Sequence, residues 1–441
     1  MFKYDAAFRA EFREHWLVLL IAFSTFLFGF SMPAYSLPFI FPEVINHLGW
    51  TREQATLLAS SKYAVGAICA LLVGRFVDKT GAWVSLIFTV SLGGLALVSF
   101  LWIETLTAYY LLGILLGFGS GGTMVAIKVL ISRAFHHSQA TAMGMALMGS
   151  VVGSIFLPFA IGAGIEAFGW RVSIALMSSG IWLVSVPLLI YGLISPHMAF
   201  GRRPDARRPT AHATLVVEHA ETLRHILGEG RFWLIAISVF MVAMVDQAFT
   251  QHQVLIFDDV GLDRRWTEVA ISAIGVFGIL TRLVAGNILD AHSNRGLALL
   301  WWVLSASMLM AFALTNPIIL IAYIVFRATG HSAVMLDSIT MTKHVWGSSK
   351  NLGALLGTYT AFASAGFAVG PWLMGRLYDM SGSYGPAFIL FALIPVIASF
   401  LIWQVKPVFW LQLRNGEVRT THAVPAGGDA APIAGAPVKE V

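Results

Sequence analysis

Charged residues are scarce in this chain: only 12% of its 441 residues are Asp, Glu, Lys or Arg, while 57% are hydrophobic. A soluble protein keeps about a quarter of its residues charged. A chain with so little charge can shield its apolar surface only in a lipid bilayer, which excludes a soluble globular fold. The formal net charge of +5 comes from short polar stretches between apolar runs. That distribution is typical of membrane orientation and argues against nucleic-acid binding.

Cysteine and the common metal and nucleotide motifs are also missing. The one cysteine, Cys69, lies inside an apolar run, so we expect neither a disulfide framework nor a thiolate metal site. The sequence has no G-x-x-x-x-G-K-[ST] phosphate loop and no H-E-x-x-H zinc motif. We therefore expect no enzyme, no ATP-driven pump, no cofactor and no metal. A non-transporting membrane sensor is disfavoured as well, because the polar segments are too short for a folded cytoplasmic domain.

Twelve apolar runs have the roughly 20 residues that a membrane-spanning helix needs. They cover 16–41, 54–76, 83–103, 107–131, 140–165, 172–195, 232–257, 266–289, 297–315, 317–342, 352–376 and 385–405. We therefore predict an all-α fold in which 16–195 and 232–405 form two pseudo-symmetric six-helix bundles.

Three polar segments flank and join these bundles. A linker, 196–231, connects them, and a tail, 406–441, follows the second one and is expected to be largely disordered. The N-terminal segment, 1–15, is interpreted either as an amphipathic helix on the membrane surface or as a solvated leader.

Lys and Arg are distributed unevenly between the two sides of the predicted membrane. With both termini in the cytoplasm, 20 of the 28 basic residues lie on the cytoplasmic side, five on the opposite side and three within spans. Such an excess follows the positive-inside rule. We expect a monomeric multi-pass protein of a bacterial inner membrane, in direct contact with the lipid bilayer, with both termini and the linker in the cytoplasm.

The two halves repeat each other at a nearly constant offset. Five residues reappear 213 positions later: Gly144, Gly153, Pro158, Gly162 and Gly169 correspond to Gly357, Gly366, Pro371, Gly375 and Gly382. Gly74 and Asp78 correspond to Gly286 and Asp290 at an offset of 212. Parallel repeats of this kind are typical of transporters whose halves rock around a central site.

Residues 74–81, GRFVDKTG, resemble the signature loop between helices 2 and 3 of major facilitator transporters, G-x-x-x-D-[RK]-x-G. The second copy, 286–295, keeps the Gly and the Asp but little else. The resemblance covers roughly 16–405 and implies the twelve-helix major facilitator fold. It implies that Gly74, Asp78, Gly286 and Asp290 latch a cytoplasmic gate. A plain turn with a solvated Asp is the alternative.

Arg282 is the foremost candidate for binding a substrate. A charge in the membrane interior costs at least ~2.5 kcal/mol and is retained for a reason. Arg282 lies about 24 Å along its helix from the outer end and four residues before Gly286. This context resembles the helix-8 arginine of monocarboxylate porters and oxalate–formate antiporters, which implies that Arg282 binds a carboxylate with its planar fork. Pairing with Asp290 or with helix-end carbonyls is the alternative.

A second group of polar residues lies in predicted spans 7 and 10. Arg327 and His331 are one turn apart on one helix face and could bind the anion, or Arg327 could pair permanently with Asp246. Asp246 is the leading candidate for a proton carrier, and Asp337 is a weaker one. Gln251 follows Asp246 toward the outer side and is a further candidate for substrate binding.

Two candidates lie in the first two spans. Tyr35 stands among three prolines of span 1, where an irregular helix is tolerated if it lines a cavity. Lys62 in span 2 either extends to the outer surface or forms a second cationic site. Together these residues favour proton-coupled symport of a monocarboxylate, a small organic anion, by alternating access. Proton-driven efflux of amphipathic compounds and exchange of organic anions are the alternatives.

Overall fold

The computed structural model describes residues 6–135, 139–201, 223–346, 352–407, 411–414 and 417–420. Its first half begins with α1, which runs through Ala6–Ser24, the π-helical turn Thr25–Phe30, Ser31–Tyr35 and Leu37–Leu48. It continues with α2 (Arg52–Thr80), α3 (Ala82–Ser99, ending in the 3-10 turn Phe100–Trp102) and α4 (Leu106–Ala134). The long run Gln139–Met177 is broken at Gly169 into α5 (139–168) and α6, which continues through Ile181–Ser185 and Val186–Ile194.

The second half begins with α7 (Gly230–Asp259). The run Arg264–Met310 is broken at Ser293 into α8 (264–292) and α9 (294–310). It is followed by α10 (Pro317–Trp346), α11 (Leu352–Ser381) and α12 (Gly385–Trp403). Between the halves lie the 3-10 turn Pro196–Gly201 and a short helix, Leu223–Gly228. Residues 202–222 of the predicted linker lie outside the described residues.

Eight of the described helical runs are long and apolar enough to cross a membrane. Two of them, Thr141–Ile194 and Arg264–Ala313, contain a break and each comprises two predicted spans. The helices α2 and α11 are not among the eight but coincide with the second and eleventh predicted spans. Each predicted span therefore coincides with a described helix or part of one, and the prediction of an all-α membrane fold is confirmed.

The ends of the chain differ in detail from the expectations. Helix α1 begins at Ala6, and only His15 departs from helical geometry between the N-terminal segment and the first span. In the tail, β1 (Leu411–Arg414) and β2 (Glu417–Thr420) pair as an antiparallel hairpin, with Leu411 opposite Thr420. This part of a segment expected to lack structure is therefore a hairpin.

The backbone supports the internal duplication independently of side-chain identity. The described residues with positive φ form three pairs, each separated by 212 or 213 positions: Gly49 with Gly261, Gly81 with Ser293, and Gly169 with Gly382. Gly81 and Ser293 mark the ends of the two signature segments. A serine pays a steric cost at φ 50° that glycine avoids. The second signature segment therefore has a serine where the first ends in Gly81, but the positive φ is kept.

Ser293 is held in this turn by buried contacts. Its Oγ lies 2.8 Å from Nδ1 of His344 at the end of α10. The next residue, Asn294, donates from Nδ2 to the carbonyls of Ile402 and Val405 at the end of α12. These bonds tie α8 and α9 to two other helices and offset the unfavourable conformation.

Helix α4 packs against α2 through a row of small residues. A Cβ atom on Gly113, Gly117 or Gly121 would lie 2.9, 2.6 or 2.5 Å from the backbone oxygen of Leu58, Lys62 or Gly66, respectively. The spacing of four residues places the three glycines on one helix face, so the two backbones approach closely as in other membrane helix pairs. This contact fixes the position of α2, the helix that carries Lys62 and Tyr63.

Replacement of Gly117 tests this close packing. We expect Gly117→Ala to lower the free energy of unfolding by about 1–3 kcal/mol, because backbone atoms of α2 cannot move aside for the added methyl group. Thermal unfolding of the purified protein in detergent measures the effect. Gly144→Ala is the matched control, since no described atom lies within 4 Å of its Cβ. Equal stability of both variants would contradict the proposed tight contact.

Candidate functional site

The two halves touch near one membrane face and separate toward the other. A Cβ on Gly375 of α11 would lie 2.8 Å from Cα of Glu53 in α2, and a Cβ on Gly275 of α8 would lie 2.8 Å from Oγ of Ser154 in α5. Nearer the face that carries the start of α1 and the end of α12, a Cβ on Gly144, Gly286 or Gly357 would meet no described atom within 4 Å. The space between the halves is therefore open at the face of the termini.

Arg52 is the centre of the closed face. It begins α2, and its Nη1 donates to Asp259 at the end of α7 over 2.9 Å, while Nη2 donates to the same carboxylate. Its guanidinium carbon lies 3.7 Å from the ring centroid of Tyr378. The carboxylate of Asp379 accepts hydrogen bonds from the backbone nitrogens of Arg52 and Glu53, at 3.1 and 2.8 Å. An anion at a helix N-terminus is favoured by the helix dipole.

Other cross-half contacts surround this centre. Arg264 of α8 donates to Glu43 of α1 over 2.7 Å, and Arg376 of α11 donates to Glu53 over 3.0 Å. Ser272 of α8 donates to the carbonyl of Ile155 over 2.8 Å. The hydrogen bonds that join the two halves among the described residues lie at this face or near the midpoint of the helices. We call the set of Arg52, Asp259, Glu53, Arg376, Glu43 and Arg264 the outer gate, after the orientation expected from the positive-inside rule.

A buried ion pair lies deeper, between α7 and α10. Nη1 of Arg327 donates to Oδ1 of Asp246 over 2.6 Å, and Nη2 donates to the backbone oxygen of Asp246 and to Oγ1 of Thr250, both over 2.7 Å. His331 brings Nδ1 within 3.0 Å of Oδ2 of the same carboxylate. Arg327 and Asp246 are almost fully buried, whereas the His331 side chain is 26% exposed. Of the two predicted arrangements, the ion pair is the one present.

A band of polar contacts extends from this pair into the first half. Gln247, next to Asp246, donates to the hydroxyl of Tyr63 on α2 over 2.9 Å. Tyr35 on α1 and Asp246 both lie within electrostatic range of that hydroxyl. The predicted candidate Tyr35 thus lies at the same level of the membrane as the ion pair.

Arg282 lies at the other end of this band. Its neighbour Thr281 is within 2.9 Å of Oγ of Ser332 and donates to the carbonyl of Ala328, which brings Arg282 to the level of His331 on α10. No hydrogen bond or ion pair joins Arg282 to another described residue, and its Nε is buried without a partner. The predicted alternative, pairing with Asp290 or helix-end carbonyls, is not the arrangement found.

The direction of Arg282 follows from its neighbours on α8. Leu283 and Val284 are 67% and 54% exposed and mark the lipid face. Gly275 and Gly286 flank Arg282 on the other side: Gly275 contacts α5, whereas Gly286 faces open space. At about 100° per residue these positions place Arg282 between the face packed on α10 and the space between the halves. Arg282 therefore lies on the side of α8 that borders the space between the halves.

The structure decides two further predictions about buried polar residues. Lys62 is only 2% exposed, and its Nζ donates to the carbonyl of Pro33 over 3.1 Å, so the prediction that it extends to the outer surface is wrong. The α4 glycines fix α2 so that this side chain is directed at α1. Gln251 is fully buried, and both polar atoms of its amide lack a hydrogen bond. It does not reach the cavity in this conformation.

The remaining candidates lie closer to the face of the termini. Asp337 is 1% exposed; its Oδ1 accepts from Ser338, and its Oδ2 is buried without a partner. Asp290 is exposed near the end of α8. Gly74 and Asp78 lie in the last turns of α2, but the side chain of Asp78 is outside the described part. Among the described residues no group of three or more His, Cys, Asp or Glu is arranged to bind a metal.

Sequence reasoning missed Tyr63 and the arrangement around Arg52. Tyr63 follows Lys62 directly, and the pair of polar residues inside an apolar run was the available signal. Arg52, Asp259 and Tyr378 come from three separate helices, so nothing in the local sequence joins them.

A sequence profile of the Major Facilitator Superfamily matches residues 17–298, more than half of the chain. The chain belongs to the major facilitator superfamily. This transporter is 22% identical to Monocarboxylate transporter 12 of Homo sapiens over 322 residues, 67% of its own chain, and spans 61% of that protein's length. It is 24% identical to Monocarboxylate transporter 13 of Bos taurus over 398 residues, 87% of its own chain and 88% of that protein.

Solved structures agree with this assignment. The transporter matches a bacterial homologue of the human lysosomal transporter Spinster, solved in an inward-facing and unoccupied conformation, with a TM-score of 0.68 and 15% identity over 90% of its own chain and 96% of the other. At this identity the likeness concerns the fold alone. The family, its relatives and the apolar helices together identify a multi-pass membrane transporter and not an enzyme.

Loss of Arg52 tests the outer gate. We expect Arg52→Ala to open the closed face, because it removes both the bond to Asp259 and the contact with Tyr378. The probe is Ser60→Cys in a Cys69→Ser background, since Ser60 is 5% exposed and lies beneath the gate. Labelling by a membrane-impermeant maleimide, applied at the face opposite the termini, should accelerate several-fold.

Arg376→Ala is the matched control for this experiment. Arg376 also pairs across the halves, but its side chain is 54% exposed. Exposed ion pairs contribute about 0–1 kcal/mol, so labelling should change little. Equal labelling in the Arg52→Ala variant and its parent would show that Arg52 does not hold the gate closed.

Proposed function

We propose that this transporter carries a small organic anion, a monocarboxylate, by proton-coupled symport with alternating access. The observation that carries the proposal is the guanidinium of Arg282, which has no hydrogen-bond or ion-pair partner among the described residues and borders the space between the halves. A charged group at this depth is costly unless it is compensated. The carboxylate of a substrate supplies the missing negative charge, and its two oxygens match the planar fork of the guanidinium.

Other groups complete the proposed substrate site. His331 is partly exposed at the level of Arg282, and Tyr35 of the other half is half-buried near Tyr63. Contacts from both halves allow a bound substrate to draw the halves together. The similarity to two monocarboxylate transporters supports a carboxylate as the cargo.

Proton coupling is proposed to involve Asp246 and Asp337. The carboxylate of Asp246 is bound to Arg327 and His331, and His331 also belongs to the proposed substrate site. A substrate carboxylate that replaces Asp246 on His331 leaves Asp246 less compensated, which favours binding of a proton. Asp337 lacks a cationic partner among the described residues and lies ten residues after Arg327 and six after His331 on α10. It is the natural group to exchange protons with the open side.

The gate geometry supports alternating access. The outer gate is closed while the opposite face is open, and with both termini in the cytoplasm this state is inward-facing. The related fold of the Spinster homologue was also solved inward-facing. In the proposed cycle, the ion pairs of the outer gate break and the signature segments at Gly74–Asp78 and Gly286–Asp290 close the cytoplasmic side.

Arg282 variants test the substrate site. We expect Arg282→Ala to abolish uptake of labelled carboxylates into proteoliposomes under an inward proton gradient, since the counter-charge is lost. Arg282→Lys should also be poor, because an ammonium group cannot form the bidentate contact. Arg265→Ala, an exposed arginine at the start of the same helix, is the matched control and should transport normally.

The same assay can reject the proposal. Near-normal uptake by a folded Arg282→Ala variant would remove Arg282 from the substrate site. Absence of carboxylate accumulation in the unmodified transporter, together with proton-driven export of amphipathic compounds, would favour the efflux alternative.

Asp337 is tested by separating exchange from proton-driven uptake. We expect Asp337→Asn to retain exchange of labelled for unlabelled substrate but to lose accumulation driven by a proton gradient, because the amide cannot carry a proton. The exposed acid Asp258 provides the control variant Asp258→Asn, which should retain both activities. Full proton-driven accumulation in the Asp337→Asn variant would exclude Asp337 from the coupling.

A further inference from the structure

Lys62 is a second interior cation that the proposed site does not yet use. Its Nζ donates to the carbonyl of Pro33 over 3.1 Å and lies 4.9 Å from the ring centroid of Tyr63. An ammonium group has three donors. That of Lys62 donates a single hydrogen bond to the described residues. No described carboxylate lies within ion-pair distance of the Lys62 amine, so this buried group has no counter-charge among the described residues.

The backbone around Lys62 holds this side chain in place from both sides. On one side, Gly117 of α4 packs so closely that an added Cβ would lie 2.6 Å from the Lys62 oxygen. On the other side, α1 contains the π-helical turn Thr25–Phe30 and then the prolines Pro33 and Pro38, while Ser36 keeps helical backbone angles. Irregular membrane helices are tolerated where they line a cavity. Lys62 is thus directed at the irregular part of α1, where Tyr35 also lies.

Lys62 stands at the first-half end of the polar band. Its neighbour Tyr63 accepts the cross-half hydrogen bond from Gln247, which adjoins Asp246. Arg282 stands at the other end, beside α10. In the interior of the described helices, Arg327 is neutralised by Asp246, whereas Lys62 and Arg282 have no carboxylate. One uncompensated cation therefore belongs to each half of the transporter.

We infer that Lys62 forms a second subsite, which binds a second oxygen acceptor of the cargo while Arg282 binds its carboxylate. The inference rests on the proposed function of Arg282. The cargo class is then a carboxylic acid with a hydroxyl, keto or second carboxylate oxygen. Without cargo, the ammonium group of Lys62 donates to the Pro33 carbonyl and lies against the Tyr63 ring. When the halves close around the cargo, the ammonium group donates to the cargo oxygen instead.

Selectivity between acids of similar size tests this subsite. The probes are propionate, lactate and malonate, which present no second acceptor, a hydroxyl and a second carboxylate. In the unmodified transporter, lactate or malonate should be taken up with a lower KM than propionate. Lys62→Gln keeps an amide donor for the Pro33 carbonyl but removes the charge. It should raise the KM of the preferred acid about tenfold, the effect of losing one charge-assisted hydrogen bond, and change that of propionate less than twofold.

Two further variants separate binding from structural support. Lys62→Met removes the donor as well and should give the same selectivity change if the charge is what matters. Ser61→Ala is the matched control, because among the described residues the Ser61 hydroxyl donates only to the carbonyl of Leu58 in its own helix. A preference for lactate over malonate identifies the second acceptor as a hydroxyl, and the reverse identifies it as a carboxylate.

Either of two results would overturn the inference: an equal loss of uptake for all three acids in the Lys62 variants, or unchanged selectivity in a folded Lys62→Gln protein. An equal loss means that Lys62 only braces α1. The outcome for Arg282→Ala keeps the two proposals apart. If that variant is inactive while Lys62→Gln retains the selectivity of the unmodified transporter, the subsite fails and the carboxylate site stands.

Discussion

An uncompensated positive charge in a medium of low dielectric constant is the constraint on which the rest of this structure depends. Burying an ion without a partner costs several kcal/mol, whereas a well-formed pair recovers most of that cost. Arg327 is buried with the carboxylate of Asp246, and Arg52 is bound to that of Asp259. Arg282 has no such partner among the described residues. In the proposed function, the anionic cargo supplies the negative charge that Arg282 lacks among the described residues.

The ion pairs of the outer gate lie at one face, whereas Arg282 and Lys62 lie deeper, among the same helices as the Arg327–Asp246 pair. In the proposed function, gating and substrate binding therefore involve charges at different depths. The paired charges of the outer gate join the halves on one face, where a broken pair can be hydrated. The uncompensated cations, Lys62 and Arg282, lie deeper among the helices, where the proposed cargo binds. His331 connects the buried ion pair with the proposed substrate site, because it contacts Asp246 and its side chain is partly exposed. A substrate can therefore affect the buried pair without displacing it completely.

Much of the architecture was predictable because repeated glycines report on backbone geometry. Gly169 and Gly382 share an offset in the sequence and a positive φ in the structure. The turn at Ser293 was not predictable, since serine rarely adopts positive φ and its support comes from His344 on another helix. For the site, the depth of Arg282 could be counted along its helix. The direction of Lys62 could not, because it depends on how closely α4 approaches α2.

The most direct test of the account is an experimental structure of the transporter with a bromine-labelled small carboxylic acid bound. The account predicts anomalous signal in the space between the halves, with both carboxylate oxygens within about 3 Å of the Arg282 guanidinium nitrogens. A carboxylate bound elsewhere, with Arg282 turned toward lipid or paired with a carboxylate of the protein in the occupied state, would contradict it.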